Sequence, residues 1–195
     1  MINAFTFSQK ADGLVVGSRL ATVALVAIGA FSADLIGIIQ FPWAIWGVSG
    51  FYIGAAFVTI AAVMFGRSAL VGIYLGMFGA AVVSGRLNAL TPLLNFCNVI
   101  GVLAPYLYFR FVRKDWKLSN FTDASAFILF GGLVQSILSA LWFFGVLWLF
   151  GMVTVETIKI AAIGWIAGGV AVQTIVGLPV LVGLSFIFKN KKLEN

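Results

Sequence analysis

The chain has 195 residues, of which 62% are hydrophobic and only 9% are charged. A soluble domain carries about 25% charged residues, so this composition excludes a water-exposed fold, and the length suits one domain. The net charge of +6 does not indicate nucleic acid, because the cations flank hydrophobic segments and favour contact with the anionic surface of a lipid bilayer.

Six apolar segments follow one another along the chain, each close to or longer than the roughly 18–20 residues that cross a bilayer core. This pattern predicts an all-α, polytopic transmembrane helical bundle of about six spans, forming a single integral membrane domain over residues 1–195. The predicted spans lie near residues 15–39, 44–65, 68–85, 90–112, 124–150 and 158–188.

The fifth and sixth segments are longer than one bilayer crossing, so each must tilt, bend or extend beyond the lipid. Pro179 lacks a backbone donor and its ring clashes with the preceding turn, which predicts a kink at the Gly177-Leu178-Pro179 step. A complete break there would produce a seventh short segment. Thr122 or Asp123 is expected to cap the fifth helix, because either side chain can accept a bond from a free amide.

The distribution of cations predicts the orientation, since cytoplasmic loops carry an excess of Lys and Arg. Six spans with the N-terminus inside leave only Arg86 and Lys159 on the outer side. The cytoplasmic side then holds Lys10, Arg19, Arg67, Arg110, Arg113, Lys114, Lys117, Lys189, Lys191 and Lys192. We therefore predict an integral protein of the cytoplasmic (inner) membrane with both termini in the cytoplasm, N-in and C-in.

Asp34 is an acidic residue within an apolar run, where an ionised carboxylate costs about 2.5–3.5 kcal/mol. One interpretation makes it a ligand or proton site near the outer leaflet. The other makes it a residue at a span end, paired with Arg86 or Lys159. Arg86 and Asn88 either line an anion-accepting pocket or, more simply, lie at a helix end where the arginine reaches lipid phosphates.

Polar amides interrupt the later spans. They either hydrogen-bond across helices, at roughly 0.6–2 kcal/mol each, or converge on a polar pocket. Tryptophans near span ends are either anchors in an aromatic belt or part of the same site. The candidate ligand-binding residues are Asp34, Trp46, Arg86, Asn98, Gln135, Trp165 and Gln173.

Glycines spaced four residues apart permit close approach of helix backbones. The predicted helix-packing residues are Gly50, Gly54, Gly72, Gly76, Gly79, Gly164 and Gly168. Packing within the chain is favoured over homodimerisation. The face formed by Gly72, Gly76 and Gly79 is also the leading candidate for contact with a helix of a partner protein.

No set of residues suited to catalysis is present in the sequence. Histidine does not occur, Cys97 is the one cysteine, and no phosphate-cradling motif is found. We therefore predict that the protein is not an enzyme and that it uses neither a cofactor nor a metal ion.

Short motifs occur in a fixed order from Trp46 onward. They are Trp46-Gly-Val-Ser-Gly50, Gly66-Arg67, Gly72-Ile-Tyr-Leu-Gly76, the segment from Asn98 to Arg113, and Trp165-Ile-Ala-Gly168-Gly169 with Pro179 downstream. This order resembles the MASE1-type integral-membrane sensor domain, over roughly residues 40–185. That family has a Trp-Pro-x-x-Gly entry to a span, a Gly-Arg turn, a Gly-rich span, an Asn-initiated span with a basic end, and a Trp-x-x-Gly-Asp stretch before a Pro.

The resemblance implies a sensory membrane module that normally feeds a fused signalling enzyme. Gly47 replaces the first Pro of the entry motif, and Gly169 replaces the acidic residue, so position 169 lacks the carboxylate on which a sensing role would depend. We expect a stand-alone module without an output domain. It would act through a partner, in signal transduction or as an accessory subunit of a larger membrane complex.

The alternative function is a component for small-molecule transport, such as the substrate-binding subunit of an energy-coupling vitamin transporter, which is similar in size and number of helices. The expected partners are therefore the lipid bilayer, a membrane protein and a small-molecule ligand, and no nucleic acid is expected.

Overall fold

The computed structural model describes residues 19–36, 38–39 and 51–189. Helices dominate this part of the chain, and three of them contain π-helical stretches. The helices are α1 (Arg19–Ile36), α2 (Gly54–Phe65), α3 (Arg67–Val83), α4 (Thr91–Leu107, continued by the π-helical Tyr108–Arg113), α5 (Phe121–Leu149, π-helical over Ile128–Val134) and α6 (Val155–Val172, continued by the π-helical Gln173–Gly177 and by Leu178–Lys189).

Four of these helices, α1, α4, α5 and α6, are long and apolar enough to cross a membrane. The other two are shorter, with 12 residues in α2 and 17 in α3. The structure therefore confirms a mostly helical membrane protein with four helices of spanning length within the described ranges.

The described parts of the first connection include two short strands. Ile38–Ile39 and Phe51–Tyr52 form strands β1 and β2, which pair antiparallel with Ile38 opposite Tyr52. Of the predicted span near 44–65 the structure describes residues 51–65, in which α2 begins at Gly54 after strand β2. Apolar runs of this length do not distinguish strand from helix, and β-branched and aromatic residues favour strands.

The two longest helices contain π-helical stretches. In α6 the distortion lies at Gln173–Gly177, just before Pro179, and the helix continues to Lys189 without the break that would create a seventh segment. Proline lacks a backbone donor, so the α-helical hydrogen bonds of the preceding turn are interrupted. A π-helical stretch has a different hydrogen-bond pattern and can absorb this interruption without ending the helix.

The loop between α4 and α5 is closed by polar contacts. Asn120 caps α5, because its side-chain oxygen accepts a bond from the Asp123 amide at 2.9 Å. The prediction of Thr122 or Asp123 as the cap is therefore wrong. The Asp123 carboxylate instead pairs with Arg113, with 2.7 Å between an arginine amino nitrogen and one carboxylate oxygen. Its position in the first turn lets it reach back across the loop.

Helix α1 lies directly on the glycine face of α3. A Cβ atom at Gly72 would lie 2.7 Å from the Val23 carbonyl oxygen, and one at Gly76 would collide with the Ala27 carbonyl oxygen. Gly79 also faces α1. The two helices run parallel, since these contacts follow the same order along both. This face is occupied within the chain, so the suggested contact of Gly72, Gly76 and Gly79 with a partner helix is wrong.

The other predicted glycines differ in their surroundings. A Cβ atom at Gly54 would collide with the Tyr52 ring, so this glycine lets α2 begin beside the short hairpin. Gly168 is buried, whereas a Cβ atom at Gly164 would have nothing within 4 Å. Gly164 therefore borders open space and does not pack against another described helix. Gly50 lies outside the described ranges.

Candidate functional site

A cavity of about 400 Å³ reaches one end of the bundle, which we call the Arg86 end. Here α1 and α3 finish and α4 begins. Five of the seven candidate ligand-binding residues line this cavity, namely Asp34, Arg86, Asn98, Gln135 and Trp165. Gln173 is fully buried beside Gln135 but does not line the cavity, and Trp46 lies outside the described ranges.

An ion pair stands where the cavity meets the surface. Asp34 is 8% exposed, and its carboxylate binds the Arg86 guanidinium and accepts a 3.0 Å hydrogen bond from the Tyr52 hydroxyl. The Arg86 side chain is 46% exposed and also donates to the Ser84 hydroxyl at 2.6 Å. Of the two suggested partners, Asp34 therefore takes Arg86 and not Lys159. An anion site centred on Arg86 would have to compete with this carboxylate.

Asn88 forms the turn that leads into α4. Its side-chain oxygen accepts a hydrogen bond from the Leu90 backbone amide at 2.9 Å, and its backbone amide donates to the Thr91 hydroxyl at 2.8 Å. The Thr91 hydroxyl donates in turn to the Arg86 carbonyl at 3.0 Å. These bonds fix the backbone that carries Arg86, so Asn88 positions the ion pair.

The inner wall of the cavity carries amides without protein partners. The Asn95 Nδ2 atom is buried and has no hydrogen-bond partner. Within the described ranges, the Asn98 side chain and the Gln135 Nε2 atom make no hydrogen bond either. An unpaired polar group away from water costs roughly 1–3 kcal/mol, which applies here to the buried Asn95 Nδ2 atom, whereas the Asn98 side chain and Gln135 Nε2 can pair with water or with a molecule that enters the cavity.

An aromatic pair forms another part of the lining. The Phe143 and Trp165 rings lie 5.0 Å apart between centroids, and the Trp165 indole nitrogen donates to the Ser139 hydroxyl at 3.0 Å. Trp165 is thus held inside the bundle and does not act as an interface anchor. A Cβ atom at Gly169 would collide with the Ser136 hydroxyl, so α6 depends on glycine for its approach to α5 here.

A buried network lies behind Gln135. The Thr59 hydroxyl accepts from Gln173 Nε2 at 2.7 Å, and its single proton lies within hydrogen-bond distance of both Gln135 Oε1 and the Ala55 carbonyl of its own helix. Gln173 Nε2 also lies 2.9 Å from the Ala55 carbonyl, and its Oε1 is buried without a partner. The network joins α2, α5 and α6, and Thr59, which the sequence analysis did not single out, is its centre.

Thr59→Val should therefore destabilise the protein by about 1–3 kcal/mol, because it leaves Gln135 Oε1 and Gln173 Nε2 with fewer partners in a dry interior. Valine has nearly the same shape, so packing changes little. The measurement is the free energy of unfolding in detergent micelles. Thr174→Val is the matched control, since Thr174 is exposed and bonds only to the Val170 carbonyl within its own helix. Equal effects of the two substitutions would contradict the network.

Among the described residues, no three His, Cys, Asp or Glu side chains are grouped so that they could hold a metal ion. Comparison of the chain with protein-family models, with curated proteins and with solved structures finds no match.

Proposed function

We propose that this protein is a non-enzymatic membrane module that binds a small molecule in the cavity and acts through a partner protein, in the manner of the MASE1-type sensor domains it resembles. The observation that carries the proposal is the cavity itself. Its volume of about 400 Å³ falls within the range of small-molecule sites, and its wall holds polar groups that the protein leaves unpaired.

The arrangement of polar groups supports binding rather than lipid contact. Asn95, Asn98 and Gln135 come from two helices and meet at one cavity, whereas amides used only for packing would pair with each other. The same cavity is also lined by the aromatic pair Phe143 and Trp165 and by the ion pair of Asp34 and Arg86. Such a mixture of apolar surface and a few polar groups is typical of ligand sites.

The ligand-binding proposal is tested by native mass spectrometry of the protein extracted from its membrane into nanodiscs. We expect a bound small molecule on the wild type and its loss in Asn98→Phe, which fills the cavity without breaking a protein hydrogen bond. Val71→Phe adds the same ring on an exposed part of α3 and should keep the adduct. An adduct retained equally by both variants would show that the molecule binds elsewhere.

The proposal includes six spans with both termini in the cytoplasm, which places the Arg86 end outside. In a Cys97→Ser background, Met152→Cys should react with a membrane-impermeant maleimide on intact cells, because Met152 is exposed in the turn after α5. Ser119→Cys, in the loop between α4 and α5, should react only after permeabilisation. External labelling of Ser119→Cys would reverse the orientation.

A cavity reached from the outer side equally suits the alternative, a substrate-binding subunit of an energy-coupling transporter. The proteins that co-purify in mild detergent separate the two functions. A signalling protein or a large membrane complex supports the sensor or accessory subunit, and an ATPase pair supports the transporter. The partner contact is proposed to use the basic surface formed by the end of α4 and the loop after it, with Arg110, Lys114 and Lys117, at the opposite end from Arg86.

A further inference from the structure

We infer that the ligand is an uncharged, planar ring molecule that carries both hydrogen-bond donors and acceptors on its edge. This inference rests on the proposed function and specifies the chemistry of its ligand. It follows from three features of the cavity, which are the pairing of its charges, the unpaired amides on one wall and the aromatic surface on another.

The charged groups of the described lining neutralise each other. Asp34 is bound to Arg86, and the carboxylate receives a further bond from Tyr52. The other described lining residues have neutral side chains, among them Asn95, Gln135 and Ser136. A ligand with a full charge would lose water without gaining a counter-ion, which is unfavourable in a membrane interior. An uncharged ligand avoids this cost and leaves the ion pair intact.

The free amides define the polar edge of the ligand. Asn98 presents both a donor and an acceptor, and Gln135 presents a donor because its oxygen already faces Thr59. Asn95 also belongs to the lining, but its Nδ2 atom is buried and reaches a ligand only if the side chain turns. Carboxamides pair with groups that offer a donor beside an acceptor, such as a lactam, a cyclic urea or a primary amide. A purely apolar ligand would leave all three side chains unpaired.

The aromatic part of the lining defines the shape of the ligand. The Phe143 and Trp165 rings line the cavity and are inclined by 32° to each other. The Phe144 ring does not line the cavity but meets Trp165 edge-on from behind, with 5.8 Å between centroids. Trp165 is fixed by its bond to Ser139, so its face is held in place. Next to it, Gly168 and Gly169 add side-chain-free backbone to the lining. A flat ring can stack in this part while its edge reaches the amides.

The test uses the wild-type protein in nanodiscs and isothermal titration with matched pairs of probes. Nicotinamide is paired with nicotinate, benzamide with benzamidinium, and thymidine with thymidine 5′-phosphate, so that within each pair the ring is kept and the charge changes. We expect the uncharged member of a pair to bind roughly tenfold or more tightly than its charged counterpart, because desolvating an unpaired charge is unfavourable. Asn98→Leu should weaken that binding, while its melting temperature reports that the fold is kept.

The outcomes separate this inference from the proposed function. Tighter binding of a charged probe overturns the ligand class but leaves small-molecule binding in place, with Asp34 or Arg86 released from its partner to meet the new charge. If no uncharged probe binds, the proposed ligand class is wrong, whatever the charged probes do. Failure of all probes together with a mass spectrum that contains no adduct overturns the binding function as well.

Discussion

Gly76→Leu should lower the free energy of unfolding by about 3 kcal/mol or more, the largest effect we expect from a single substitution outside the cavity. The first atom of any side chain at this position would collide with the Ala27 carbonyl oxygen. It would also lie 2.8 Å from the Ala30 Cβ atom and 3.0 Å from the Phe31 amide nitrogen. These are mostly backbone atoms of α1, which cannot move aside as a flexible side chain can. Helix α1 must therefore separate from α3.

The matched control is Gly164→Leu, which places the same side chain in open space on α6. We expect a change within about 0.5 kcal/mol, as is usual for exposed positions without a special contact. Reversible unfolding of the detergent-solubilised protein measures both variants. If Gly76→Leu were as well tolerated as Gly164→Leu, the close packing of α1 on α3 would be wrong, and the glycine face would again be free for a partner.

Arg86→Gln should destabilise the protein by about 2–3 kcal/mol, because it leaves the Asp34 carboxylate buried without its counter-ion. Of the two strong contacts of this carboxylate, only the bond from the Tyr52 hydroxyl remains. The full cost of breaking a buried pair is larger, about 3–5 kcal/mol, but the half-exposed position of Arg86 lets water replace part of the lost interaction.

The reverse substitution, Asp34→Asn, should cost less, about 1 kcal/mol. Asparagine can still accept the bond from Tyr52, and the Arg86 side chain is exposed enough to turn toward water or stay on Ser84. The double variant Asp34→Asn/Arg86→Gln should be more stable than Arg86→Gln alone, since no buried charge remains. Equal costs for both single variants, or a double variant that is the least stable of the three, would mean that Asp34 is not effectively buried.

Helices were the most predictable part of this molecule. The predicted span near 90–112 compares with the observed Thr91–Arg113, and the one near 158–188 with Val155–Phe188, because a continuous apolar run of about 20 residues or more is a strong signal for a membrane helix. In the family that the sequence resembles, the corresponding span begins at an Asn. Here the matching residue, Asn98, lies seven residues inside α4. Whether the Asn98 side chain faces the cavity depends on the rotation of α4 about its axis. The length of the apolar run does not determine that rotation.

A contact between residues far apart in the chain was predictable only where one side chain would be energetically unfavourable without a partner. A lone carboxylate in an apolar run must find a cation, which is why Arg86 was one of the two partners named for Asp34. Thr59 gave no such signal, because a threonine in a helix can satisfy its hydroxyl on its own backbone. Its role appears only when α2 brings it between Gln135 and Gln173, which are 38 residues apart in the chain.

The π-helical stretches in α5 and α6 also have a consequence for chain length. A π-helical turn closes its hydrogen bond one residue later than an α-helical turn, so it holds one residue more within the same rise. Removing one residue from Ile128–Val134 would let α5 run as an uninterrupted α-helix while Phe127 and Gln135 keep their present faces. The same deletion in the regular turns after Gln135 would rotate everything beyond it by about 100° and turn Phe143 away from Trp165. Between Phe127 and Phe143, length variation in this helix is therefore best tolerated at the π-helical stretch.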